Sequence, residues 1–241
     1  MIDYIDNILF IIALILSISL FSLNFKKILN NIRLGRAENR SDKPILRLKN
    51  MFRVAFGQGK MISRPIAGIL HLVVYIGFII INIELLEIIF DGIFGTHRIF
   101  SKYFPGLYNI LIGSFEILAL LVLISVIIFW IRRNILKIKR FLKDEMRGWP
   151  KLDADLILYF EIILMSLFLT MNGADYTIQL NYPENDIYVR AGSFPVSQFL
   201  VPIFQDFSLN HLMFIERITW WLHILGIFIF LNYLYYSKHL H

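Results

Sequence analysis

The chain has 241 residues, 57% of them apolar and only 17% charged, with a mean hydropathy of +0.64, a formal charge of +6 and no cysteine. A soluble domain carries about 45–50% apolar and about 25% charged residues, so a soluble globular fold is excluded. Without cysteine the chain itself holds no disulfide, thiolate zinc site, c-type haem attachment or iron–sulfur cluster.

Five apolar runs, at 8–23, 65–89, 107–131, 154–172 and 215–236, are each long enough, or nearly so, to cross about 30 Å of hydrocarbon at about 1.5 Å per residue. The first follows Asp3 and Asp6 and has neither a basic leader nor a small-residue cleavage site, so it reads as a retained helix. Eleven Lys/Arg lie between the first two runs and eight more lie at 132–151, whereas the other two connections together hold only Arg98, Lys102 and Arg190. The positive-inside rule then predicts an all-α, five-helix transmembrane bundle with its amino terminus outside and its carboxyl terminus in the cytoplasm. Topology and anionic headgroups account for the basic charge, and nucleic acid is not expected. The basic connections span 24–64 and 132–153.

Within those connections, 43–64 and 135–147 read as amphipathic helices at the membrane surface; Ile45, Leu48, Met51 and Phe52 recur at helical spacing. The stretch 173–214 holds Pro183, Gly192, Pro195 and Pro202 and reads as an irregular outer cap, with a short helix near 196–205. No internal repeat, low-complexity tract or phosphate-binding glycine motif is present. The whole chain reads as one membrane domain.

An imidazole inside a lipid-spanning helix needs a partner or a task. His223 and His241 are eighteen residues apart, which is five whole turns, so in an unbroken helix both face one side about 27 Å apart along the axis. His239 falls about 160° away from that face. His71 enters the second span at the depth of His241. Paired imidazoles from two helices hold haem b without cysteine, which assigns His71 and His241 to an inner haem. At the level of His223 the second helix offers Ile81 and Asn82, neither a haem ligand. His97, in the outer connection, is the remaining partner for a second haem, with His211 facing the same difficulty. No carboxylate or second histidine stands at i+3 or i+4 from any of these residues, which argues against non-haem metal.

Glu84, Glu87 and Asp91 share one face at the end of the second span, Glu116 lies inside the third and Glu161 inside the fourth. Acids at membrane depth are costly, and Glu84, Glu87 and Glu116 are the candidates for proton exchange with a quinone. Pairing of the 84–91 cluster with Arg98 or Arg217 is the structural alternative. Arg132 and Arg133 read as topology anchors or propionate partners, and Trp220, Trp221, Tyr233, Tyr235 and Tyr236 as an aromatic belt.

The region around His71 and the stretch "WWLHILGIFIFLNYLYYSKHLH" (220–241) resemble the gamma-subunit family of respiratory nitrate reductase, with the haem-b membrane subunits of heterodisulfide-reductase-type complexes. In that family the last helix supplies one ligand to each of two haems, positions that His223 and His241 match. Its second helix has two histidines ten apart; His71 matches the inner one and Ile81 occupies the outer position. "RLKNMFRVAFGQGKMISRPIAGILHL", "DGIFGTHRIF", "FWIRRNILKIKRF", "GWPKLDADLIL" and "NYLYYSKHLH" resemble the membrane part of bacterial iron–sulfur oxidoreductases related to heterodisulfide reductase. There the five helices precede a cytoplasmic domain with ferredoxin-like clusters. This resemblance implies a separate anchor subunit or the membrane part of a longer protein. The similar proteins usually have proline at the position of Tyr235.

The expectation is therefore a b-type cytochrome in the bacterial cytoplasmic membrane, an electron-transfer part of a quinone-linked oxidoreductase. It would carry electrons between menaquinone or another quinone and a cytoplasmic iron–sulfur protein or downstream domain. The rival is a non-redox membrane anchor or assembly scaffold whose histidines only bond between helices. A transporter lacks support, because no inverted repeat or pair of broken spans is visible.

Overall fold

The computed structural model describes residues 3–36, 38, 41–57 and 65–238, the side chains of Asp3 and Ala55 excepted. Five helices are long and apolar enough to cross a membrane, at 28 to 33 residues each. They are α1 (Asp3–Arg33), α3 (Pro65–Phe94), α5 (Pro105–Trp130, continued by a π-turn at Ile131–Ile135), α6 (Trp149–Asn181) and α8 (Leu209–Tyr233). Shorter pieces are α2 (Pro44–Met51), α4 (Ile99–Tyr103) and α7 (Val201–Phe204), and no strand occurs among the described residues. At about 1.5 Å per residue the five long helices exceed the hydrocarbon thickness of about 30 Å, so their ends project or the helices tilt.

Each long helix packs on the next in chain order and α8 returns to α1, closing a ring of five. Small residues permit the closest approaches. A Cβ on Gly92 of α3 would stand 2.7 Å from the Phe10 ring of α1, and one on Gly226 of α8 would stand 2.7 Å from Leu164 of α6. Polar bonds fix α1 against both neighbours: Asn7 donates to the carbonyls of Gly92 and Ile93, and Asn232 of α8 donates to the Ser17 hydroxyl at 3.0 Å. The outward faces are apolar, with Ile8, Ile12, Ile15 and Leu16 exposed, whereas Glu84, Glu87, Glu116, Asn172, Asp175 and Glu216 are buried inside. Such a distribution suits lipid as the outer solvent.

The expected spans all appear, and each helix runs beyond its apolar run. Three surface expectations change. Residues 139–146 form two 3₁₀ turns (Lys139–Leu142 and Asp144–Met146) instead of an amphipathic α-helix. Lys137 adopts φ 45° just beyond the π-turn, and that left-handed residue breaks any continuation. Trp220 is buried against Phe10, with ring centroids 5.5 Å apart, so it belongs to the α1–α8 core and not to an interfacial belt. Arg133 is likewise buried, its Nε 2.9 Å from Asp155 Oδ1 and its guanidinium donating to the Lys151 carbonyl, which fixes the start of α6. The 196–205 helix forms as a 3₁₀ turn (Ser197–Leu200) running into α7.

Candidate functional site: two cavities that meet at Glu84

Along α3, Val74, Phe78, Ile81, Leu85 and Ile88 follow one another at helical intervals and line one wall of an apolar cavity. His71 lies three residues before Val74 on the same stripe. The opposite wall comes from α6 (Glu161, Leu164, Met165, Phe168) and α8 (His223, Ile227, Phe230). Ile81, Asn82 and His223 line this one cavity.

The first cavity is apolar apart from Asn82, Glu84, Glu161 and His223. His223 Nδ1 lies 3.0 Å from the Leu164 carbonyl oxygen. A carbonyl only accepts, so Nδ1 carries the ring proton and Nε2 keeps its lone pair. That arrangement orients an imidazole for a metal or for a hydrogen-bond donor. His71 Nδ1 is buried without a hydrogen-bond partner, and so is Glu84 Oε2. Unmet polar atoms in a dry interior are costly, so both mark places where the chain leaves bonding capacity for something else. These two imidazoles fit haem ligation: each keeps a nitrogen unused by the protein. His239 and His241 lie outside the described residues. Among the described residues no three His, Asp or Glu side chains converge as a non-haem metal would require.

A second, smaller cavity adjoins the first, and Glu84 and Ile88 line both. Its wall is polar, with Glu87, Asp91, His97, Arg98, Asp175 and Glu216. Asp91 builds the turn that makes this possible. Its carboxylate accepts from Thr96 Oγ1 and from the backbone amides of Arg98 (2.8 Å) and Ile99 (3.1 Å), after Gly95 has turned the chain at φ 68°. The Arg98 side chain is thereby directed inward. Its Nε donates to Asp175 Oδ2 at 2.6 Å, its Nη2 to Asn172 Oδ1 at 2.9 Å and its Nη1 to Tyr108 Oη at 3.3 Å. Burial works against the Arg98 charge, but Asp175 outweighs it and the guanidinium stays ionised. His97 stands beside the same carboxylate, Nε2 to Asp175 Oδ2 3.5 Å, with its ring 4.6 Å from that of Tyr188. Burial lowers its basicity, Asp175 raises it, and the net shift is upward.

The expected site residues therefore separate. Glu84 and His223 line one cavity, and His97 lines the other. Glu87 accepts from the Phe100 amide (2.9 Å) and from Tyr108 Oη (3.0 Å). Glu116 accepts from the amides of Val196 and Ser197 at 2.9 and 3.0 Å and from Asn172 at 3.1 Å, so it tethers the 182–208 connection to the bundle. The Arg98 guanidinium goes to Asp175 instead of the 84–91 acids, and Arg217 Nε lies 4.0 Å from Glu216. Sequence reasoning missed Asn172, Asp175, Tyr108 and Glu216. The first two were detectable: Asn172, Asp175 and Gln179 repeat at i, i+3 and i+7, and Gln179 donates to Asp175 at 3.0 Å.

No family model matches the chain, and no solved structure matches it. Two curated proteins do. It is 26% identical over 234 residues to the "EtfAB:quinone oxidoreductase" of Syntrophomonas wolfei, covering 94% of this chain and 31% of that protein. It is 28% identical over 237 residues to the "Probable iron-sulfur-binding oxidoreductase FadF" of Bacillus subtilis, covering 98% of this chain and 31% of that protein. The chain spans about a third of the length of these relatives. It is an all-helical chain with five potential membrane spans, similar to part of two oxidoreductases named for quinone and for iron–sulfur binding.

Proposed function

We propose that this chain is a membrane electron-transfer unit that links a quinone to an iron–sulfur protein or domain on its basic face. The bilayer would be the bacterial cytoplasmic membrane, with the basic connections in the cytoplasm. The observation that carries the reading is the apolar cavity lined by both Glu84, whose Oε2 has no hydrogen-bond partner among the described residues, and His223. The names of the two relatives supply the substrate and the partner class.

Haem b would be held by His71, whose buried Nδ1 has no partner in the chain, together with His241. When bound, it supplies a one-electron carrier between a two-electron quinone and single-electron clusters. The head group is assigned to the first cavity, where His223 Nε2 can accept from a quinol hydroxyl and the apolar wall accepts the ring and tail. His97 lies in the neighbouring cavity facing Asp175, so the His223–His97 pair is not carried forward as a second haem site. The exposed Lys137, Lys139 and Arg140 offer an acidic partner a complementary potential.

The scaffold reading keeps one observation in its favour, the bond between His223 and the Leu164 carbonyl, which by itself ties α8 to α6. A dithionite-reduced minus oxidised spectrum of the purified protein separates the two. The cytochrome reading expects b-type bands that His71→Ala removes and His239→Ala leaves. A flat trace from wild-type protein expressed with ample haem would leave the scaffold.

A further inference from the structure

We propose that Glu84 is the proton gate between the two cavities: protons exchanged by a quinone head group in the first cavity cross this one carboxyl into the polar cavity and leave at the bundle end that carries Asp91 and His97. The proposal rests on the quinone reading above and adds to it a route and a side.

Glu84 is the one ionisable residue that lines both spaces. It is 3% exposed, yet its Oε2 has no hydrogen-bond partner. A buried carboxylate oxygen that the fold leaves unmet is available to a ligand, unlike Glu87 and Glu116, whose oxygens are taken by backbone amides and side chains. The walls on its two sides differ in kind. In the first cavity the other ionisable groups are Glu161 and His223, set among leucine, isoleucine, valine and phenylalanine. The second offers Glu87 next to Glu84, then Asp91, which is only partly buried and sits at the helix end.

The second cavity also has the capacity to take a proton. The buried Glu84, Glu87, Asp175 and Glu216 line it together with the permanently charged Arg98 and the titratable His97. Arg98 is committed to Asp175, Asn172 and Tyr108, and Glu87 to Phe100 and Tyr108, which leaves Glu84 as the carboxyl with an oxygen unmet.

The balance is simple. Oxidation of a quinol to the quinone breaks two O–H bonds and releases two electrons and two protons. The electrons leave singly to the one-electron carriers of the proposed function. Each proton forms an O–H bond on ionised Glu84, and transfer onward to the Glu87–Asp91 side restores the carboxylate before the next. Quinone reduction runs the same steps backwards.

The test uses the full chain with haem, in lipid nanodiscs, as wild type, Glu84→Gln and Glu84→Asp. Two quantities are measured with a short-chain naphthoquinol and its quinone: the stopped-flow rate of haem reduction by the quinol, and the equilibrium binding of the quinone. Loss of a positioned proton acceptor predicts a rate about 100-fold lower in Glu84→Gln, with quinone affinity close to wild type and most of the rate recovered in Glu84→Asp. A Glu84→Gln protein reduced as fast as wild type overturns the gate while leaving the quinone site standing. Rate and affinity falling together in both variants would show that Glu84 only shapes the cavity, which also overturns it. Wild-type protein that binds no quinone removes the quinone reading, and the gate with it.

Discussion

At the end of the bundle that holds the two capping connections, Arg98, Asp175, Asn172, Glu116 and Ser197 are bonded to one another in a single buried chain. At the opposite end Lys137, Lys139 and Arg140 are exposed, and Arg133 alone of that run is drawn inside. The contrast follows from what each end has to do. Buried charge must be paired and hydrogen-bonded to be tolerated, so the capped end reaches a fixed geometry that can hold a site open between helices. Exposed lysines and arginines fix nothing locally, but they set a potential that a partner or a headgroup can use.

The largest expected effect comes from breaking the buried chain. Arg98→Ala leaves Asp175 without its cation, at about 3–5 kcal/mol, which should show as a large drop in thermal stability in detergent. Losing the tether of the 182–208 connection, by Glu116→Ala, should release that connection to limited proteolysis. Second comes Arg133→Ala at the other end. It removes one ion pair and carbonyl bonds near the α6 start, for about 1.5–3 kcal/mol, with the capped end unchanged.

Charge removal without packing loss sharpens the contrast further. Neutralising Lys137, Lys139 and Arg140 together should leave melting and haem content near wild type. It should slow quinol-dependent reduction of an iron–sulfur partner as much as high salt slows it in the native protein. Equal rates at every ionic strength would mean that this face is not where a partner docks.

The smallest effect is a pH dependence. His97 has a raised pKa beside Asp175, so its protonated form is favoured by folding. Its contribution is complete below the unfolded value of about 6.5 and is lost as the pH rises through the higher folded value. Melting temperature should therefore decline over that interval in the wild type, and the decline should flatten in His97→Gln.

The five spans were legible because runs of isoleucine, leucine and phenylalanine leave no other reading at this length. Their ends were less so. Hydropathy fades where α6 passes into "GADYTIQLN", yet the helix continues to Asn181, since the buried Asp175, Thr177 and Gln179 find their partners inside the bundle. That last part of α6 is also why the polar network was missed: Asp175 read as part of the outer connection, and Arg98 as a partner for the 84–91 acids. His71, Glu84 and His223 stood out because each interrupts an apolar run and thus needs a reason to be there. Pairings across the ring, such as Arg98 with Asp175, depend on which helices become neighbours, and no local pattern carries that information.

The central claim is electron entry from quinol, and it is tested most directly by adding a naphthoquinol to the oxidised, haem-loaded protein in nanodiscs and following the spectrum anaerobically. The account predicts appearance of the reduced b-type bands, saturating with quinol concentration and blocked by a redox-inert quinone analogue. A haem that dithionite reduces but quinol leaves oxidised would contradict it.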